Sequence, residues 1–242
     1  MATTKKTDAP LKLKPLRKGD PRLSSALFTF REAGAYLDVP TTTIKNWSHR
    51  GARRGEPLLT AFAGDRGVPS LSFVGLTEAY ILSVFRHAGV SMQRIRPALE
   101  RLKADEGLEY ALASGHLYTD GRDVLFDYAF KAGDEVQRQL TEVRNGQTVL
   151  RPVIQSRLQR IQWDDDSWPT RLQLPGFAVA KVIVDVRRAY GRPIVLSGDA
   201  RVEDVVGRFF GGDPIDEVAR DFGLSPEEVE DTIRVSYRAK AA

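Results

Sequence analysis

The sequence predicts an α+β protein in which helices at both ends of the chain flank a strand-containing middle region. Apolar residues recur at the three- and four-residue spacing of helices from Phe28 to Leu102, and again from Gly198 onwards. Between these segments, residues 105–192 contain short β-branched or alternating runs that end at proline or glycine. The length of 242 residues suits one large domain or two small ones.

Composition excludes many kinds of catalytic and metal site. The chain has no cysteine and three histidines, which rules out disulfides, thiolate metal ligands and cysteine nucleophiles. It also lacks a glycine-rich phosphate loop, a nucleophile elbow and a metal-ligand spacing. We therefore expect a protein that is not an enzyme and that uses neither a cofactor nor a metal. No apolar run approaches the roughly 20 residues of a membrane span and no signal peptide opens the chain, so we expect a cytoplasmic location.

The two ends of the chain differ in charge. Residues 1–100 carry 16 Lys and Arg against 8 Asp and Glu, whereas residues 198–231 carry 3 against 11. A basic N-terminal part favours a polyanion as partner. The acidic segment favours either a cationic protein surface or plain solubility.

Residues 1–22 are predicted to be a flexible basic arm. They contain seven Lys and Arg, three prolines and too few large apolar residues to offset the entropy of ordering. Such an arm could lie along phosphates or act only as a solubilising leader.

Residues 23–104 have the pattern of a helix-turn-helix followed by a wing. A helix that starts after Phe28 ends at the break 38–40, and a second short helix covers 41–50 with Ile44 and Trp47 on its inner face. Hydroxyl, amide and cationic side chains, which contact bases and phosphates, cover its outer face. An ordinary helical hairpin with a polar face is the alternative. The predicted DNA-binding residues are Thr41, Thr42, Thr43, Lys45, Asn46, His49 and Arg50, with Arg66 at the tip of a wing built from residues 58–62 and 70–73.

Two further helical stripes, joined at Gly89-Val90-Ser91, follow the wing. Pro97 requires a kink or a new start within the second of them. The order of FREAGAYLDVPTTTIKNW, the wing and LTEAYILSVFRHAGVSMQRIRPAL resembles the winged helix-turn-helix of MerR-type regulators. This resemblance implies binding to operator DNA, and a homodimer would match a two-fold operator.

Residues 105–192 are interpreted as a linker or dimerisation region of mixed structure. Asp120-Gly121 predicts a hairpin, and strands are expected at 149–161, 170–174 and 181–186. The three consecutive aspartates 164–166 favour a solvated turn, because neighbouring carboxylates in an extended chain converge poorly on one metal ion.

Residues 193–242 are predicted to form a small bundle of three helices. The first ends at Gly211-Gly212, the second starts at Asp213-Pro214 and stops at Gly223, and the third opens with the capping box SPEE and has the apolar stripe Val229, Ile233 and Tyr237. The strand GRPIV at residues 191–195 and the helical pair IDEVARDFGLSPEEV resemble a small antitoxin family of VapB type.

The VapB resemblance implies an antitoxin whose partner is a PIN-like ribonuclease with an acidic, Mg-dependent site. The residues assigned to toxin binding are Arg201, Arg208, Arg234, Tyr237 and Arg238. Arg234 and Arg238, with Lys240, could insert into that acidic site or merely complement the C-terminal end of the helix dipole.

Because DNA and toxin binding fall on different parts of the chain, a fragment of residues 105–242 is expected to inhibit the nuclease alone. The alternative function is a MerR-like regulator that responds to a small molecule enclosed by the middle strands.

Overall fold

The computed structural model of the protein describes residues 16–17, 19–49, 56–63, 67–106, 109–115, 154 and 156–241. Helices lie at both ends and an antiparallel sheet lies between them, so the predicted α+β class is confirmed. The N-terminal helices are α1 (Pro21–Ser24), α2 (Phe30–Leu37), α3 (Thr41–Ser48), α4 (Phe73–His87) and α5 (Met92–Glu106). The strands are β1 (Ile161–Trp163), β2 (Pro169–Gln173), β3 (Val182–Asp185), β4 (Ile194–Val195) and β5 (Ala200–Arg201). The C-terminal helices are α6 (Val202–Phe210), α7 (Ile215–Phe222) and α8 (Pro226–Ala241).

Short extended segments form the base of the wing. Leu71 makes antiparallel bridges to both Phe28 and Ala61. The second predicted segment of the wing ends early, because the Ser72 hydroxyl caps helix α4, which begins at Phe73. The wing is therefore anchored directly to the start of α4.

The sheet is a meander in the order β1-β2-β3-β4-β5, with Leu172 opposite Val184 in its centre. The strands expected at 170–174 and 181–186 are confirmed. The strand expected at 149–161 is wrong in the described part, since Ile154 and residues 156–158 are helical. Its apolar residues are spaced for one helix face as well as for a strand, and only the end of the segment joins β1. The hairpin expected at Asp120-Gly121 lies outside the described residues.

The aspartates 164–166 form a turn held by two arginines. Asp164 pairs with Arg187, and the Asp166 carboxylate lies 2.6 Å from the Arg22 guanidinium. Arg22 also bonds to Asp20, and this contact holds the pKa of the Asp20 carboxyl below its usual range. The predicted turn is confirmed, and the described side chains include no group of three or more potential metal ligands.

The predicted three-helix bundle is confirmed at α6, α7 and α8, with two local corrections. Ser225 and Glu228 form the expected capping box. The N-cap of α7 is Pro214, because the Asp213 carboxylate pairs with Arg208 instead of capping the helix. Of the described helices, none is both long and apolar enough to cross a bilayer.

The second correction concerns α8. Its third predicted apolar-stripe residue, Tyr237, is 61% exposed. The buried side of the helix instead carries Val229, Thr232, Val235 and Ala239. The stripe shifts because α8 packs against two surfaces, the other helices of its bundle and α2 of the helix-turn-helix.

One apolar core joins both ends of the chain. It runs from Phe28 beside the wing to Val235 in α8, and residues 73–85 of α4 are all buried within the fold. The loop after β2 also contacts α2: the Gly176 amide donates to the Tyr36 carbonyl over 2.8 Å. A Cβ at Gly176 would lie 2.2 Å from the Ala35 carbonyl oxygen, so this approach requires glycine.

Candidate nucleic-acid interface

Helix α3 has one buried and one exposed face, as predicted. Ile44 is fully buried and Trp47 is 6% exposed, whereas Lys45 and Asn46 point away from the core. Ile44 and Trp47 are three residues apart and therefore lie on the same side of the helix. Because that side is buried, Lys45 and Asn46 are held on the exposed side. One buried face and one polar, exposed face are also what a recognition helix of a helix-turn-helix has.

The turn before α3 is set by two residues. Asp38 ends α2 in the left-handed conformation, with φ of 54°. A Cβ at Gly34 would lie 2.9 Å from both the Thr41 hydroxyl and the Val39 carbonyl oxygen. Only glycine lets the two helices cross this closely, so Gly34 and Asp38 fix the angle at which α3 is presented.

The structure brings most of the predicted DNA-binding residues to one surface. Thr42, Lys45, Asn46 and His49 are exposed, and Thr41 and Thr43 are half-buried. Arg50 and Arg66 lie outside the described residues, so their predicted contacts stay predictions.

His49 ends α3 rather than projecting freely from it. Its Nδ1 lies 2.7 Å from the Lys45 carbonyl oxygen, and its ring lies 5.9 Å from that of Phe30. Since a carbonyl only accepts, Nδ1 must carry the proton and donate. A contact from His49 to DNA would therefore use Nε2.

Arg192 and Glu32, which sequence reasoning missed, join the helix-turn-helix to the C-terminal part. Glu32 forms a capping box with Thr29 at the start of α2, and its Oε1 lies 2.9 Å from the Arg192 guanidinium. The same guanidinium lies 5.6 Å from the ring centre of Phe28 and bonds to the Leu27 carbonyl. The Thr-x-x-Glu spacing could have revealed the capping box. Nothing in the nearby sequence indicates that Glu32 also pairs with the distant Arg192.

The predicted toxin-binding arginines are held by carboxylates of the protein itself. The pairs are Arg201 with Asp204 and Glu203, Arg208 with Asp213 and Asp221, and Arg234 with Asp231. Arg238 instead reaches the helix-turn-helix, where it lies 3.3 Å from Asp38 and 3.1 Å from the Gly176 carbonyl oxygen.

Asp231 is the most buried of these carboxylates. It is 3% exposed and accepts from the Val179 amide at 2.6 Å and the Ala180 amide at 2.9 Å, in addition to Arg234. The Arg234 side chain is 60% exposed. Arg234 can thus leave its carboxylate while the backbone donors still satisfy Asp231.

Comparisons with known proteins cover both parts of the chain. Residues 26–99 match a family model described as "Putative DNA-binding HTH domain". The chain is 38% identical over 226 residues to "Putative antitoxin VapB45" of Mycobacterium tuberculosis, covering 88% of this chain and 94% of that protein. It is 23% identical over 243 residues to "Uncharacterized protein Rv2308" of the same organism, covering 91% and 94%. A crystal structure of Rv2018 from that organism matches with a TM-score of 0.69 at 38% identity, covering 88% of this chain and 99% of that one.

Proposed function

Since the chain belongs to the family of the antitoxin VapB45, we propose that it is an antitoxin which neutralises a PIN-like ribonuclease and represses its own operon through α3. The observation that carries the DNA-binding half is the exposed face of α3, which presents an amide and a cation opposite the buried Ile44 and Trp47. Amides and cations of this kind read base edges and hold phosphates. We further propose a homodimer, because helix-turn-helix proteins match two-fold operators with their own symmetry.

Arg234 is the residue we assign to the toxin's acidic site. Ribonucleases of PIN type hold Mg²⁺ with carboxylates, and the planar fork of an arginine matches a carboxylate pair. Arg234 is exposed and its own partner Asp231 has two other donors, which favours exchange of one carboxylate for another. Arg238 is a poorer candidate, because it already connects α8 to Asp38 and Gly176.

Replacement of Asn46 tests base readout. Asn46→Ala is expected to weaken binding to the operator by about 1–3 kcal/mol, with little effect on a random duplex, because a lost bidentate contact removes discrimination. Mobility shifts at two salt concentrations measure both affinities. Arg66→Ala is the control for a phosphate contact: it should weaken both duplexes equally and flatten the salt dependence. Equal losses for Asn46→Ala on the two duplexes would remove α3 from the recognition role.

Replacement of Arg234 tests insertion into the nuclease. Arg234→Ala is expected to weaken inhibition more than tenfold, about 1.4 kcal/mol or more, while the fold and operator binding persist. An RNA-cleavage assay with increasing antitoxin measures this. Arg187→Ala is the matched control, since Arg187 is an exposed, carboxylate-paired arginine that follows the end of β3 by two residues. Unchanged inhibition by Arg234→Ala would leave the nuclease contact to other surfaces of the bundle.

A further inference from the structure

A cleft of about 630 Å³ opens between the helix-turn-helix and the C-terminal bundle. Helix α2 and the base of the wing line one side of it, and α6 and α8 line the other. Its volume falls in the range of about 300–1,000 Å³ that is typical of small-molecule sites. The predicted position of a ligand pocket, among the middle strands, is different from this one.

The C-terminal side of the cleft offers an apolar stripe. Val202, Val206 and Phe210 follow one another at four-residue intervals along α6 and all line the cleft. Val202 and Val206 are buried, whereas the Phe210 ring is 53% exposed. The Phe209 ring lies edge-on to it at 5.5 Å, and the Lys240 ammonium lies 4.9 Å from its centre. This stripe suits the apolar body of a ligand.

A buried hydroxyl lines the same cleft without a partner. Ser236 of α8 is 6% exposed, and its Oγ makes no hydrogen bond. Thr232, one turn earlier, donates to the Glu228 carbonyl in the way usual for a helix. The Ser236 Oγ is itself inaccessible, so it adds polarity to the wall of the cleft without facing its open space.

Among the described residues, cations outnumber carboxylates by three to two in the lining of the cleft. Arg192 contacts both carboxylates in the lining, Glu32 at 2.9 Å and Glu203 at 3.8 Å. Arg31 and Lys240 form no ion pair with any residue that the structure describes, although the Lys240 ammonium contacts the Phe210 ring. They lie together, because the Arg31 guanidinium is 3.4 Å from the Lys240 carbonyl oxygen. The cleft thus combines an apolar floor with an anion-attracting rim.

We propose that this cleft binds a small molecule with an apolar body and one carboxylate. The body would lie against Phe210, and the carboxylate would lie between Arg31 and Lys240. This inference does not depend on the proposed toxin.

Gly207 provides a way to close the cleft without disturbing the fold. It lines the cleft in α6, and a Cβ added there would meet no atom within 4 Å. Gly207→Phe places a ring in the open space, and Gly207→Ala is the matched control. The probes are octanoate and phenylbutyrate, each compared with the alcohol of the same carbon skeleton, titrated calorimetrically into the full chain.

The wild type and Gly207→Ala are expected to bind at least one carboxylate about tenfold more tightly than its alcohol. Gly207→Phe should bind neither compound, and the double variant Arg31→Met, Lys240→Met should lose the preference for the carboxylate. Failure of the wild type to bind either carboxylate at millimolar concentration, or undiminished binding by Gly207→Phe, would overturn the proposal. Loss of nuclease binding by Gly207→Phe, together with no carboxylate binding by the wild type, would also overturn it and assign the cleft to the protein partner.

Discussion

A fragment of residues 105–242 is expected not to fold, contrary to the expectation from the sequence that it would act alone. The fragment lacks α4, whose residues 73–85 are all buried, and α2, against which α8 packs. Core residues such as Leu172, Val205 and Val235 belong to the same cluster as the missing helices and would lose part of their cover. Exposure of one large apolar side chain costs about 1.5–3 kcal/mol, and a domain has only about 5–15 kcal/mol in total.

Far-ultraviolet circular dichroism against temperature measures the outcome. The full chain should unfold in one cooperative transition, whereas the fragment should show none and should not inhibit the nuclease. Deletion of the lysine-rich residues 1–15 is the control, and we expect it to leave the transition temperature nearly unchanged. A fragment that melts cooperatively and inhibits the nuclease would mean that the two ends of the chain are independent units.

Local features of the fold were predictable because their determinants lie within a few residues of one another. The spacing of Ile44 and Trp47 fixes the inner face of α3, and the Ser225 capping box fixes the start of α8. Caps and helical periodicity involve neighbours three or four positions apart, which a single sequence displays directly. The outer face of α3 followed from the same periodicity.

Contacts between the two ends of the chain were not predictable in this way. Arg238 and Asp38 are separated by 200 positions, and neither local sequence predicts that the two side chains meet. Arg238 lies against the helix-turn-helix, and its expected contact with a partner protein stays a prediction. Tyr237 was placed in the core for a related reason: periodicity gives the spacing of a buried stripe, but the packing partners decide which residues form it.

Replacement of Glu78 by glutamine is expected to stabilise the protein by about 3 kcal/mol near pH 8 and by much less near pH 5. Glu78 lies in α4 and is 3% exposed, and its carboxylate accepts from the Thr60 amide at 2.6 Å. Burial raises the pKa of Glu78 from 4.5 to about 7, although the bond from Thr60 opposes this change. The carboxylate thus anchors the extended segment that leads into the wing, at the cost of a buried charge in alkaline solution.

The sign follows from which state holds the proton. Between pH 4.5 and about 7 the folded protein keeps the Glu78 proton and the unfolded chain has lost it, so stability falls as the pH rises through this window. Below pH 4.5 Glu78 is protonated in both states, so its burial adds no charge penalty to the folded protein. Above about pH 7 the folded protein bears the full cost of the buried carboxylate charge. One pH unit corresponds to about 1.4 kcal/mol, which gives the expected size.

Denaturant unfolding of the wild type and of Glu78→Gln at both pH values measures the difference in their free energies of unfolding. Contributions from the other titratable groups are the same in both proteins and cancel. Glutamine keeps an acceptor oxygen for the Thr60 amide and carries no charge, so the gain should appear only where Glu78 is ionised. The control Glu230→Gln alters an exposed carboxylate on α8 and should have little effect at either pH. A Glu78→Gln effect of equal size at the two pH values would mean that the buried carboxylate keeps one protonation state throughout. The contribution of Glu78 to the stability of the protein would then be independent of pH.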